Sequence, residues 1–190
     1  METAHLDLLK QNPSDDWNWN RLGNAYYKGG RPDLAVVAYE ESLKNDSGQT
    51  ESHYSLGRIL YEFGMTEDSA IHLREMLVTA RHYERLEPSQ QRDLLTAGLH
   101  MLFDIIEDPR ELMDFLLRGE KDRPPGSQNN EIVHHVELNI TFDKFEGLYP
   151  LAEIYMNRNN IQKLNQGKGM HPKLKMPPKK KKKSKAKKNR

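Results

Sequence analysis

The sequence predicts an all-α fold: a solenoid of stacked helical hairpins, followed by a short strand and helix appendage and a disordered basic tail. Three observations carry this reading. Trp19, Leu22, Gly23 and Tyr26 recur in class thirty-four residues later as His53, Leu56, Gly57 and Leu60, and a period of that length marks stacked hairpins. Apolar residues of the same region recur at three- and four-residue spacings, as they do along one face of a helix. Charge is segregated: residues 161–190 carry 13 of the 29 Lys and Arg and no Asp or Glu. The other 16 basic residues share residues 1–160 with all 28 acidic ones, so the body stands at −12 and the tail at +13.

Composition bounds the rest. The 190 residues suit one domain plus a tail. A hydrophobic fraction of 36% and a mean hydropathy of −0.89 fit a chain with a sizeable unfolded or solvated share. The absence of cysteine removes disulfides, thiolate metal sites and cysteine nucleophiles together. No stretch reaches the ~18 apolar residues of a membrane span, and METAHLDLLK lacks a basic flank before an apolar run. A cytoplasmic location is expected, or a nuclear one in a eukaryote.

The elements follow in order. Between Trp17 and Lys44 two amphipathic runs, Trp19, Leu22, Tyr26 and then Leu34, Ala35, Ala38, Tyr39, Leu43, flank Lys28-Gly29-Gly30-Arg31-Pro32. The glycines stop the first helix where a positive φ is cheap, and Pro32 suits the first turn of the second, where its missing N–H is no loss. The scheme repeats with a helix over Ser52–Phe63, Gly64 as stop and a helix over Glu67–Ala80. Gly23 and Gly57 are expected to let paired helices approach closely.

After Pro88, Ser89 can cap a helix through Ile106 with Leu94, Leu95, Gly98, Met101, Leu102 and Ile105 on its apolar face. Asp108-Pro109 opens another that carries Leu112, Phe115 and Leu116. This pair reads as a degenerate third hairpin or, preferably, as a cap on the end of the stack. Residues 119–130 form a linker by composition. Val136, Leu138, Ile140 and Phe142 alternate with polar neighbours as a strand does. Residues 132–142 could lie across the helices, pair between two copies in a homo-oligomer, or pair with a bound protein. A last helix is expected over Leu148–Leu164, and disorder from Gln166.

The string WNRLGNAYYKGGRPDLAVVAYEESLK resembles the tetratricopeptide repeat family at its aromatic, Leu-Gly, Tyr, Gly, Ala and aromatic positions. A weaker second copy has His53, Leu60, Ser69 and Leu73 at the corresponding places, and LLKQNPSDDW is similar to the end of a preceding repeat. The resemblance covers about residues 5–80, with repeats at about 16–49 and 50–83 and the hairpin or cap at 89–118. It implies a solenoid whose first helices line a groove for a partner. The groove residues carried over are Asn20, Asn24, Tyr27 and Lys28 from the first unit and Tyr54, Arg58 and Tyr61 from the second. Amides, rings and cations of this kind suit an extended peptide. Some members clamp a C-terminal carboxylate, but Asn20 stands where the first lysine belongs and Ser55 where the second asparagine belongs, so no clamp is expected.

The tail cluster of Lys179, Lys180, Lys181, Lys182, Lys183, Lys185, Lys187, Lys188 and Arg190 suits a polyanion. Lysines at this density attach to phosphates by counterion release, without sequence preference and with strong salt sensitivity. RNA or a ribonucleoprotein, DNA and anionic lipid are indistinguishable by this physics. The same string resembles a nuclear-import signal, and contact with the acidic body is a further outcome.

Catalysis finds no foothold. His134-His135 point to opposite faces of the proposed strand, and the glycines form no phosphate-cradling loop. Acidic pairs fall at helix starts or on exposed faces. Neither an enzyme nor a cofactor or metal is expected. The function that follows is a non-catalytic adaptor, with a structural or homo-oligomeric subunit as the alternative.

Overall fold

The computed structural model describes residues 2–119 and 145–156. Its helices are α1 (Glu2–Gln11), α2 (Asp16–Lys28), α3 (Pro32–Asn45), α4 (Thr50–Glu62), α5 (Thr66–Ala80), α6 (Pro88–Ile105), α7 (Pro109–Leu116) and, after a 3-10 turn at Phe145–Leu148, α8 (Tyr149–Tyr155). The described residues are mostly helical and contain no strand. The expected strand over 136–142, most of the linker and the tail from Gln166 lie outside them.

The two hairpins close by the same device. Arg31 N–H donates to Tyr26 C=O at 2.9 Å and Gly30 N–H to Tyr27 C=O at 3.1 Å, with Gly30 at φ +73°. Met65 N–H to Leu60 C=O at 2.9 Å, Gly64 N–H to Tyr61 C=O at 3.0 Å and Gly64 at φ +74° repeat it. Each paired bond satisfies carbonyls that the helix end leaves orphaned, and only glycine adopts that φ without strain. At the start of α2, Asp15 accepts from Asn18 N–H at 2.9 Å, and Pro32 stands at the first position of α3.

α2 packs along α3 and α4 along α5, with α3 against α4 joining the pairs. Close approach depends on the two expected glycines. A Cβ on Gly23 would sit 2.6 Å from Tyr39 Cε1, and one on Gly57 would sit 2.7 Å from Leu73 Cγ. Both partners are wholly buried. The core runs from Leu9, Leu22 and Ala38, through Ala35, Tyr39, Leu56 and Ile59, to a larger cluster that starts at Ala70 and ends at Met156. α1 enters through Leu9, which packs with Leu22 and Ala38.

Beyond α5 the sequence expectation needs correction. α6 begins at Pro88 rather than after Ser89, and Gln90 Oε1 accepts from Glu87 N–H at 3.2 Å, so the side chain that reaches back over the first turn belongs to Gln90. α6 and α7 do not pair along their lengths as a third hairpin would; α6 instead packs against α5 on one side and the 145–148 turn and α8 on the other. α6 also buries Leu99, which is not among the residues expected on its apolar face, while Leu94 and Ile105 are only half-buried. α7 contributes Leu112 and Leu116 to the same core. α8 is the described part of the helix expected over 148–164 and is structural: Leu151, Ala152, Ile154 and Tyr155 are all buried.

Candidate functional site

The expected groove residues fall on α2 and α4, and the structure divides them into two groups. The first is an internal relay. Asn20 is 0% exposed, and its Nδ2 donates to Ser52 Oγ at 2.9 Å; Ser52 donates to Ser42 Oγ at 2.8 Å, and Ser42 to Asp16 C=O at 2.8 Å. At the other end Tyr39 Oη donates to Asn24 Oδ1 at 2.9 Å and Asn24 Nδ2 to Asn20 Oδ1 at 3.1 Å. The chain Tyr39–Asn24–Asn20–Ser52–Ser42 thus crosses three helices with each step satisfied. Buried polar groups tolerate burial only on this condition. Asn20, expected on the groove wall, lies inside the helix interface, and Asn24 is its half-buried link to the surface.

The second group forms a surface stack. Arg58 places its guanidinium carbon 4.4 Å from the Tyr27 ring centre and 5.8 Å from that of Tyr54. Its Nε stands 3.7 Å from Glu62 Oε1, beyond hydrogen-bond reach, and its side chain keeps 34% of its exposure. Glu62 accepts from Tyr27 Oη, at 2.7 Å to the nearer oxygen. That bond, and burial after it, hold the Tyr27 phenol above its ordinary pKa. Tyr61 Oη donates to Asp104 of α6, which raises that phenol likewise. Lys28 is exposed in the last turn of α2, where a cation suits the helix dipole.

Several participants escape a sequence reading. Glu62 and Asp104 neutralise part of the cationic character expected of this wall. The Arg58–Glu62 spacing of one helical turn signals the first; nothing local signals the second, because α6 is placed by tertiary packing. A further cluster knits the start of α2 to the loop after α5. Arg21 and Arg85 lie 3.8 and 5.4 Å from the Trp17 ring centre, and Arg85 pairs with Asp16. Tyr83 Oη lies 2.7 Å from Glu51 Oε2 and 2.8 Å from Gln49 Oε1, and burial pushes its pKa up.

Among the described residues no group of three or more His, Asp or Glu could hold a metal ion, and no helix is long and apolar enough to cross a membrane. His134, His135 and the cluster at 179–190 lie outside the described residues. The paired histidines that the structure does bring together are others. His53 Nδ1 is 3.1 Å from His72 Nδ1, and His53 Nε2 is 3.2 Å from Ser47 C=O. A carbonyl only accepts, so His53 carries its proton on Nε2 and accepts at Nδ1 from His72. Burial pushes His53 down to about 4 and lowers His72 too, which keeps both rings neutral.

What the arrangement leaves at the surface is tyrosine rings and one stacked guanidinium on adjoining helices. In comparison with known proteins, the chain matches no family model, no curated protein and no solved structure.

Proposed function

We propose that the chain is a non-catalytic adaptor of tetratricopeptide-repeat type. The face of α2 and α4 grips an extended segment of a partner protein, and the lysine cluster at 179–190 brings the pair to a polyanion, with RNA or a ribonucleoprotein as the leading candidate. One observation carries the first half: Arg58 is pre-positioned between the Tyr27 and Tyr54 rings, yet keeps a third of its side-chain surface open. A guanidinium fixed by flanking rings loses little rotamer freedom on binding and presents its remaining N–H groups in a planar fork. Those groups suit the backbone carbonyls or a carboxylate of an extended peptide.

The relay redefines the test. Asn24→Ala would strip Tyr39 of its acceptor and confuse binding with stability, so Arg58→Ala is the clean variant. Peptides selected on the full-length chain from a random pool should lose at least tenfold in affinity, ~1.4 kcal/mol, on Arg58→Ala by fluorescence anisotropy, with unchanged helical circular dichroism. Equal affinity removes this face from the account. For the tail, filter binding to RNA should fall steeply with added salt, and should vanish when residues 166–190 are deleted. Retained or salt-independent binding contradicts the polyanion half.

A further inference from the structure

A second surface, apart from the α2–α4 face, is shaped for a ligand of different chemistry. Between α3, the end of α4 and α5 lies an open groove of about 510 Å³. Its apolar lining includes Val36, Leu60, Phe63, Met65 and Ile71, of which Phe63, Met65 and Ile71 are 65%, 50% and 53% exposed. Glu40 and Asp68 stand along it, as does Asp33, whose carboxylate is already held by two bonds from Arg31; no lysine or arginine is among the residues that line it. Large apolar side chains grouped around one groove offer area that an apolar occupant would remove from water. The acidic residues beside them select a basic, apolar occupant.

The sequence supplies that chemistry with an extended bias at Met170-His171-Pro172-Lys173-Leu174-Lys175-Met176-Pro177-Pro178. Prolines at 172, 177 and 178 bias the residues before them towards extended backbone. In an extended segment Leu174 and Met176 share one side, and Lys173 and Lys175 share the other. We propose that residues 170–178 dock in cis into the α3–α5 groove, with Leu174 and Met176 against Phe63, Met65 and Ile71, and with the long lysine side chains on the outer side reaching back over the rim towards Glu40 and Asp68. The reach required is short, because α8 touches α5, one wall of the groove, and a stretch of fourteen residues such as Met156 to Met170 can span up to ~48 Å. Docking there would leave the 179–190 lysines next to the acidic body.

The chain's lack of cysteine makes the test direct. Gly169→Cys in the full-length protein carries a single nitroxide label just before the segment. Methyl NMR spectra are compared with the label oxidised and reduced, and with the labelled chain diluted in excess unlabelled protein. Loss of the Ile71 and Met65 methyl signals, unaffected by dilution, is expected. Leu174→Ser/Met176→Ser, which keeps every lysine, should restore those signals, and Glu40→Lys/Asp68→Lys should restore them in part. Four outcomes overturn the proposal: full signal at Ile71 and Met65; loss that disappears on dilution, which assigns the groove to a second copy; loss that persists in the double serine variant, which reduces the contact to charge alone; or loss centred on the α2–α4 face.

Discussion

The hairpins α2–α3 and α4–α5 share a frame and differ in what fills it. In each, a glycine faces a wholly buried large residue sixteen positions on, Gly23 with Tyr39 and Gly57 with Leu73, and each turn closes through a glycine at positive φ. The seams are unlike. The first is threaded by the polar relay from Tyr39 to Ser42. The second is aliphatic around Leu73 and carries separate polar pairs instead of a continuous chain: Ser69 Oγ donates to Gly57 C=O at 2.7 Å, His72 pairs with His53 across 3.1 Å, and the Thr50 and Thr79 hydroxyls meet at 2.8 Å. What must recur is therefore space and backbone, while side-chain chemistry can change provided buried polar groups stay partnered. α6 marks the limit of the pattern. Gly98 admits Met76 of the preceding helix, whose Sδ would lie 2.8 Å from an added Cβ, rather than a residue of α7.

The largest test of this comparison is Leu73→Ala, expected to cost about 2–5 kcal/mol in denaturant unfolding because its site is enclosed. Gly57→Ala alone should cost about 1–3 kcal/mol by overpacking. The double variant should cost clearly less than the two together, since alanine at 73 vacates the space that a Cβ at 57 needs. Strict additivity would mean that the close approach is not what demands glycine.

Acid offers the next effect. The unfolded chain takes up a proton on histidine near 6.5, the folded His53 only near 4. Stability is therefore fully present above 6.5, falls as the pH drops, and levels off near 4. The expected loss is about 3 kcal/mol by linkage. His53→Asn should flatten this part of the pH profile relative to the parent chain; an unchanged slope assigns the loss to other groups. The smallest effects belong to the turns. Gly30→Ala and Gly64→Ala meet no neighbouring atom, so each should cost only the left-handed backbone penalty of about 1–2 kcal/mol. Similar values for the two would confirm that one turn geometry serves both hairpins.

The legible part of the fold is the part governed by local rules. Pro32, the Gly30 and Gly64 stops, and the tight fits at Gly23 and Gly57 all follow from neighbours within one hairpin. α6 is harder to read because it packs both on α5 and on a helix more than forty residues downstream, so its buried surface is wider than one face and takes in Leu99. The candidate site divides in the same way. Arg58 stands beside the Tyr27 and Tyr54 rings, whereas Asn20 lies inside because Ser52 and Ser42 supply partners that make its burial tolerable. Asp104 reaches Tyr61 only through the packing of α6 on α4.

Amide and side-chain shift mapping of the full-length protein with a selected peptide tests the proposed recognition face most directly. The account predicts changes centred on Tyr27, Tyr54, Arg58 and Tyr61 and abolished by Arg58→Ala. Changes confined to the α3–α5 groove, or equal changes in the Arg58→Ala protein, would contradict it.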